Sequence, residues 1–71
     1  MSDIYESAKK RMETVTLYLM LKHSKGVVDL VLDKMAAEDP FFFRTVQAQE
    51  KLEQLLEEMN AEHKIEEDLK H

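Results

Sequence analysis

The first helical pattern lies near the amino terminus, where apolar residues recur every three or four positions at Ile4, Ala8, Met12, Val15 and Leu19. This is the period of one face of an α-helix. Asp3 is followed three positions later by Glu6, a pair that resembles a capping box. We therefore expect a first helix over residues 2–23, followed by a turn at Gly26, because glycine commonly ends helices.

A second, shorter pattern follows over residues 27–37. Its apolar face consists of Val28, Val31, Leu32 and Met35. Several of these residues are β-branched, which lowers helix propensity and leaves a strand as the competing interpretation. Because the spacing is helical, we predict a second helix from Val27 to Ala37.

The third pattern begins at Asp39-Pro40, the clearest boundary in the chain. Asp favours the N-cap and Pro the first helical position, so we predict a third helix from Pro40 to about residue 60. Its apolar face is Ala48, Leu52, Leu55 and Met59, with Leu56 beside it. A coiled-coil seam continued from this face meets Glu62 and Glu66, so the heptad pattern fails there.

These patterns predict an all-α fold, a small three-helix bundle in which consecutive helices pack roughly antiparallel. We divide the chain into a bundle over residues 1–60 and an acidic, fraying helical tail over residues 61–71, which leaves room for a fourth short helical segment. The pattern disfavours a multi-stranded β fold, because one Gly and one Pro supply little turn chemistry.

Charge is distributed unevenly along the 71 residues, whose net charge is −5. Residues 1–35 carry six Lys or Arg against five Asp or Glu, whereas residues 36–71 carry four against ten. This balance disfavours nucleic acid as a general partner. The chain has no Cys, no secretory leader pattern and no apolar run long enough for a membrane span, so we expect a cytoplasmic protein without membrane contact.

Two clusters contain more apolar side chains than one small core would take. Residues 17–21 are five large apolar residues in a row, which surround a helix on all sides. Either they form the centre of a tight bundle, or another chain covers part of them. Three consecutive phenylalanines, residues 41–43, pose the same question at a helix start. Either two enter the core while the third packs on the loop, or they form an exposed patch that docks a partner.

Candidate metal and catalytic groups are few. On a continuous helix, His63, Glu67 and His71 would share one face and could hold a divalent ion. Glu-rich surfaces produce such spacings by chance, so we predict a solvated face, no metal and no cofactor. Carboxylate pairs such as Asp29 with Asp33 lie on open helix faces, which do not separate the pKa values of two carboxyl groups. We therefore predict no catalytic residues.

The basic residues of the first half support an alternative function. They are Lys9, Lys10, Arg11, Lys22 and Lys25. A Lys-bearing turn before a helix N-terminus could hold a phosphate. The alternative is thus an accessory nucleic-acid-binding module that uses the first helix and the turn after it.

The pattern as a whole favours a small non-enzymatic helical interaction module, a regulator or accessory subunit. Its partner would be another protein or a second copy of the chain, bound through an apolar and aromatic surface. The residues predicted for that surface are Tyr18, Met20, Leu21, Phe41, Phe42 and Phe43.

Overall fold

The computed structural model describes residues 2–69 and contains three helices, α1 (Ser2–Lys34), α2 (Phe42–His63) and α3 (Ile65–Leu69). No strand occurs in this range. The two long helices form an antiparallel hairpin, and α3 folds back beside α1. The all-α prediction is confirmed. The three helical segments form a hairpin with a short third helix rather than a bundle of three comparable helices.

The predicted turn at Gly26 is wrong, because α1 continues through it to Lys34 and joins the first two predicted helices. Gly26 has no positive φ. A helical glycine costs only about 1 kcal/mol relative to alanine. No proline or second glycine accompanies it, and the hydrogen bond from Gln49 of α2 to Asp29 holds the helix just beyond this position.

The connection between α1 and α2 covers residues 35–41. The Asp39 carboxylate accepts a hydrogen bond from the Phe41 backbone N–H at 2.8 Å, and the Asp39 carbonyl accepts one from the Phe42 N–H at 3.0 Å. Short Asp side chains favour such turns because they bond backbone two residues on. This turn places Pro40 before the helix, so α2 begins two residues later than predicted.

The core lies between α1 and the carboxyl-terminal half of the hairpin. Its buried residues are Tyr18, Leu56 and Ile65, and Val15, Leu21 and Met59 pack around them. Of the predicted first-helix face, only Val15 joins this cluster, while Ile4, Met12 and Leu19 are exposed. The α2 face is centred on Leu56 rather than on Leu55, which is exposed.

The chain reverses direction at Lys64, which adopts the left-handed conformation with φ 52° and ψ 43° and donates its N–H to the Asn60 carbonyl at 2.7 Å. The Asn60 side chain accepts the Glu66 N–H at 2.7 Å. This cap places Ile65, which is 0% exposed, in the core. The short fourth segment allowed for in the tail is therefore present as α3, whereas the fraying of this tail stays a prediction.

The molecule is long and thin, measuring 57 × 21 × 17 Å. Its radius of gyration is 15.9 Å, compared with about 11 Å for a compact domain of this length. At 1.5 Å per residue, α1 is about 50 Å long and α2 about 33 Å long. The first turns of α1 therefore extend past α2, and residues 3–10 are all exposed.

Candidate functional site

Tyr18 lies inside the hairpin and is only 4% exposed. Its hydroxyl donates a hydrogen bond to Glu66 Oε1 at 2.6 Å, and Lys22 Nζ donates to the same oxygen at 2.7 Å. Burial, followed by the hydrogen bond and the negative charge of Glu66, raises the pKa of Tyr18 to about 12. Tyr18 and its neighbour Leu21 thus hold the hairpin together, and Tyr18 offers almost no surface to a partner.

Three of the five predicted basic residues contact carboxylates of the same chain. Arg11 bonds the Asp68 carboxylate and the His63 carbonyl oxygen. Lys22 pairs with Glu66. The third is Lys25, which contacts Asp29. The other two predicted basic residues, Lys9 and Lys10, are exposed on the part of α1 that extends past α2.

Lys25 belongs to a second polar contact between the helices. Its Nζ lies 3.1 Å from Asp29 Oδ2, and Gln49 Nε2 of α2 donates to Asp29 Oδ1 at 2.6 Å. The hydrogen bond from Gln49, aided by Lys25, lowers the pKa of Asp29. Because Lys25 is part of this contact, the predicted phosphate-binding turn does not form: residues 23–26 are helical and Lys25 faces α2.

The apolar run over residues 17–21 divides between two sides of α1. Tyr18 and Leu21 pack inward. Leu17, Leu19 and Met20 are exposed. The hairpin alone therefore buries Tyr18 and partly buries Leu21, two of the five residues of this run, at its inner side.

An apolar surface runs along α1 on the side away from α2. We call it the outer face and define it as Tyr5, Met12, Leu19, Met20, Val27 and Leu30, all of them exposed. Two adjoining shallow grooves lie along it. One is lined by Lys9, Met12 and Thr16 among others, and the next by Thr16, Leu19 and His23 among others. The two grooves share Thr16, so they form one continuous strip on α1.

The phenylalanine cluster lies at the turn end of the hairpin. Phe42 is partly buried at the start of α2, whereas Phe41 and Phe43, which we call the tip aromatics, are 58% and 69% exposed. The guanidinium of Arg44 lies 5.8 Å from the centre of the Phe41 ring, a cation–π distance. One phenylalanine is thus partly buried in the hairpin while two present their rings to solvent.

The six residues predicted for partner binding do not form one surface. Tyr18 and Leu21 belong to the core region, and Met20 belongs to the outer face. The tip aromatics lie beyond the end of α1, and Met20 is fourteen residues, or about 21 Å, before that end. The structure therefore offers two separate apolar surfaces, the outer face and the tip.

Most of the outer face was missed by sequence reasoning. Placing a turn at Gly26 separated Val27 and Leu30 from Met12 and Leu19, although they share one side of a continuous helix. The signal was present as a seven-residue repeat joining Tyr5, Met12 and Leu19. The docking of Ile65 was also missed, because a single apolar residue among acids shows no periodicity.

Within residues 2–69, no three His, Cys, Asp or Glu side chains are grouped so that they could hold a metal ion. Of the trio considered from the sequence, His63 and Glu67 are exposed, and His71 lies outside the described residues.

Across residues 2–69, none of the helices combines the length and the apolar character that crossing a membrane requires. No protein-family model matches the chain, and comparison with curated proteins and with solved structures finds no match to either.

Proposed function

We propose that this chain is a non-enzymatic helical interaction module that docks a protein partner through exposed aromatic and apolar side chains. The observation that supports it is the imbalance between buried and exposed apolar residues. In the described part of the chain, three hydrophobic residues are buried, while thirteen large ones are exposed. Scattered single exposed apolar residues are normal, but contiguous ones mark interaction sites.

The tip is the surface we assign to the partner. Phe41 and Phe43 are both exposed at the end of the hairpin, two residues apart in the chain. Aromatic rings that enter a pocket on a partner contribute much of the binding energy of protein interfaces. Arg44 lies beside Phe41 and supplies a charged group at the edge of the same surface.

The partner surface that fits the tip is an apolar pocket or groove with acidic groups at its rim. Ring burial would supply the affinity, and Arg44 would meet the acidic rim. The hairpin presents the rings on a turn held by the Asp39 hydrogen bonds, which limits the entropy lost on binding.

A nucleic-acid role would depend on free basic side chains, and Arg11, Lys22 and Lys25 are engaged by carboxylates. Exposed Lys9 and Lys10 alone give a small positive patch on a chain of net charge −5. We therefore propose a protein partner.

The test compares Phe43→Ser with Leu55→Ser, a substitution of another exposed apolar residue on the same helix. Proteins that cross-link to the wild-type chain in cells are purified and titrated with each variant. We expect Phe43→Ser to weaken binding by at least about tenfold and Leu55→Ser to leave it unchanged.

Circular dichroism establishes that both variants fold. A partner bound equally well by the wild type and Phe43→Ser would contradict the assignment to the tip. Binding to oligonucleotides that weakens steeply with salt, and disappears when Lys9 and Lys10 become alanine, would replace it with the nucleic-acid function.

A further inference from the structure

The outer face of α1 has the spacing of a helix–helix contact. Two parallel rows of residues run along it, Tyr5, Met12, Leu19, Gly26 and Asp33 in the first and Lys9, Thr16, His23 and Leu30 in the second. The apolar members of these rows are Tyr5, Met12, Leu19 and Leu30. Within each row the step is seven residues, and the rows alternate by three and four. This is the spacing, although not the fully apolar composition, of the contact between two long helices. We call these two rows the seam; its charged members, Lys9 and Asp33, lie near its two ends. The α2 helix occupies the other side of α1 and leaves the seam open.

We propose that a second copy of this chain occupies the outer face, with the two α1 helices packed antiparallel about a twofold axis near residue 21. Such an interface uses the same surface on both copies. The proposal concerns a surface separate from the tip and goes beyond the docking function proposed above.

Charge complementarity selects the direction and the register. In an antiparallel pairing centred near residue 21, Met12 faces Leu30 of the second copy, and Lys9 faces Asp33 of the second copy. Glu6 and Lys34, which flank the seam, then approach each other across the interface as well. Opposite charges meet at both ends of the contact, so the pairing has a defined register.

A parallel pairing is disfavoured by the same residues. Twofold symmetry would set Lys9 against Lys9 and Asp33 against Asp33, and like charges facing each other are repulsive. The antiparallel arrangement converts both repulsions into attractions.

The antiparallel pairing also gives the exposed start of α1 a surface to pack on. Residues 3–10 extend past α2 with every side chain exposed, although an isolated helical segment of that length is marginal in water. In the proposed register this extension lies along residues 32–39 of the second copy, which are the end of α1 and the first part of its connection to α2. The exposed Tyr5 ring then gains a surface to pack on.

The contact has the size of a weak dimer. In the register centred at residue 21, residues 8–34 of the two α1 helices overlap over about 40 Å, and a helix is about 10–12 Å wide. The footprint is therefore on the order of 440 Å² per copy. Stable interfaces bury roughly 600–1,000 Å² per partner, so this pairing belongs with weak, concentration-dependent association. The dimer would present the tip aromatics of its two copies at opposite ends.

Sedimentation velocity over a wide concentration range, combined with Leu19→Glu, tests the surface. Each dimer would bury two such carboxylates, so we expect the wild type to dimerise and Leu19→Glu to raise its dissociation constant at least about 100-fold. Leu55→Glu, which introduces the same charge on α2 outside the seam, should leave dimerisation unchanged. A wild type that stays monomeric throughout, or a dimer insensitive to Leu19→Glu, would overturn the proposal.

Cysteine cross-linking tests the register, since the natural chain has no Cys. Under mild oxidation, an equimolar mixture of the Met12→Cys and Leu30→Cys variants should form a mixed disulfide dimer in preference to either variant paired with itself. Preferential self-pairing of Met12→Cys would overturn the antiparallel arrangement. Loss of dimerisation in Phe43→Ser, with no effect of Leu19→Glu, would place the second copy at the tip instead. Partner binding by a monomeric wild type would refute the dimer and leave the docking function intact.

Discussion

The hydroxyl of Tyr18 on α1 donates a 2.6 Å hydrogen bond to Glu66 on α3, forty-eight residues later in the chain. This bond joins the middle of the first helix to the acidic carboxyl-terminal segment. Lys22 completes the contact by pairing with the same carboxylate oxygen, so the negative charge of Glu66 has a partner beside a buried ring.

High pH should destabilise the hairpin through Tyr18. The folded protein raises the pKa of Tyr18 from 10.0 to about 12, so folding favours the neutral phenol. The stabilisation is complete below pH 10 and is lost as the pH rises through 12. We expect the free energy of unfolding of the wild type to fall across this window more steeply than that of Tyr18→Phe. Urea denaturation at a series of pH values measures both.

The Tyr5→Phe variant is the matched control, because Tyr5 is exposed and is the other tyrosine of the chain. Its unfolding should follow the wild-type pH profile. In this background, ultraviolet absorbance titrates Tyr18 alone. A pKa near 10 there would show that the Tyr18 contact does not persist in solution.

Removing the Ile65 side chain should destabilise the whole molecule. Ile65 is the only fully buried side chain in the described range, and Ile→Ala in a core costs about 2–5 kcal/mol. We expect Ile65→Ala to lower the free energy of unfolding by that amount in chemical denaturation. Leu69→Ala, on the exposed side of α3, should change it by less than about 1 kcal/mol. Equal effects of the two variants would show that α3 does not dock.

Replacing Gly26 with alanine should stabilise the chain. The glycine is helical, and a Cβ at this position would meet nothing within 4 Å. The expected gain in the free energy of unfolding is about 0.5–1 kcal/mol. The measurement uses the Leu19→Glu background, so that self-association does not contribute. A loss of stability would mean that Gly26 adopts a turn conformation that alanine resists.

Local patterning and local chemistry determined much of this protein. Helical periodicity predicted helix over most of α1 and α2, although it divided α1 at Gly26, and Asp39-Pro40 predicted the start of α2 to within two residues. The apolar run at residues 17–21 and the three phenylalanines indicated surfaces beyond one small core. These features could be predicted because hydrophobic spacing and turn-forming residues act within a few positions along the chain.

Tertiary structure decided the rest. Gly26 is a weak stop signal on its own, and α1 passes through it as one helix whose exposed first turns lead into the part that packs against α2. Which face of α1 turns inward depended on α2 and α3, since both faces carry apolar residues and periodicity cannot rank them. Ile65 became the most buried residue because the Lys64 cap returns the chain to Tyr18. That contact joins positions far apart in sequence, where local patterns carry no information about proximity.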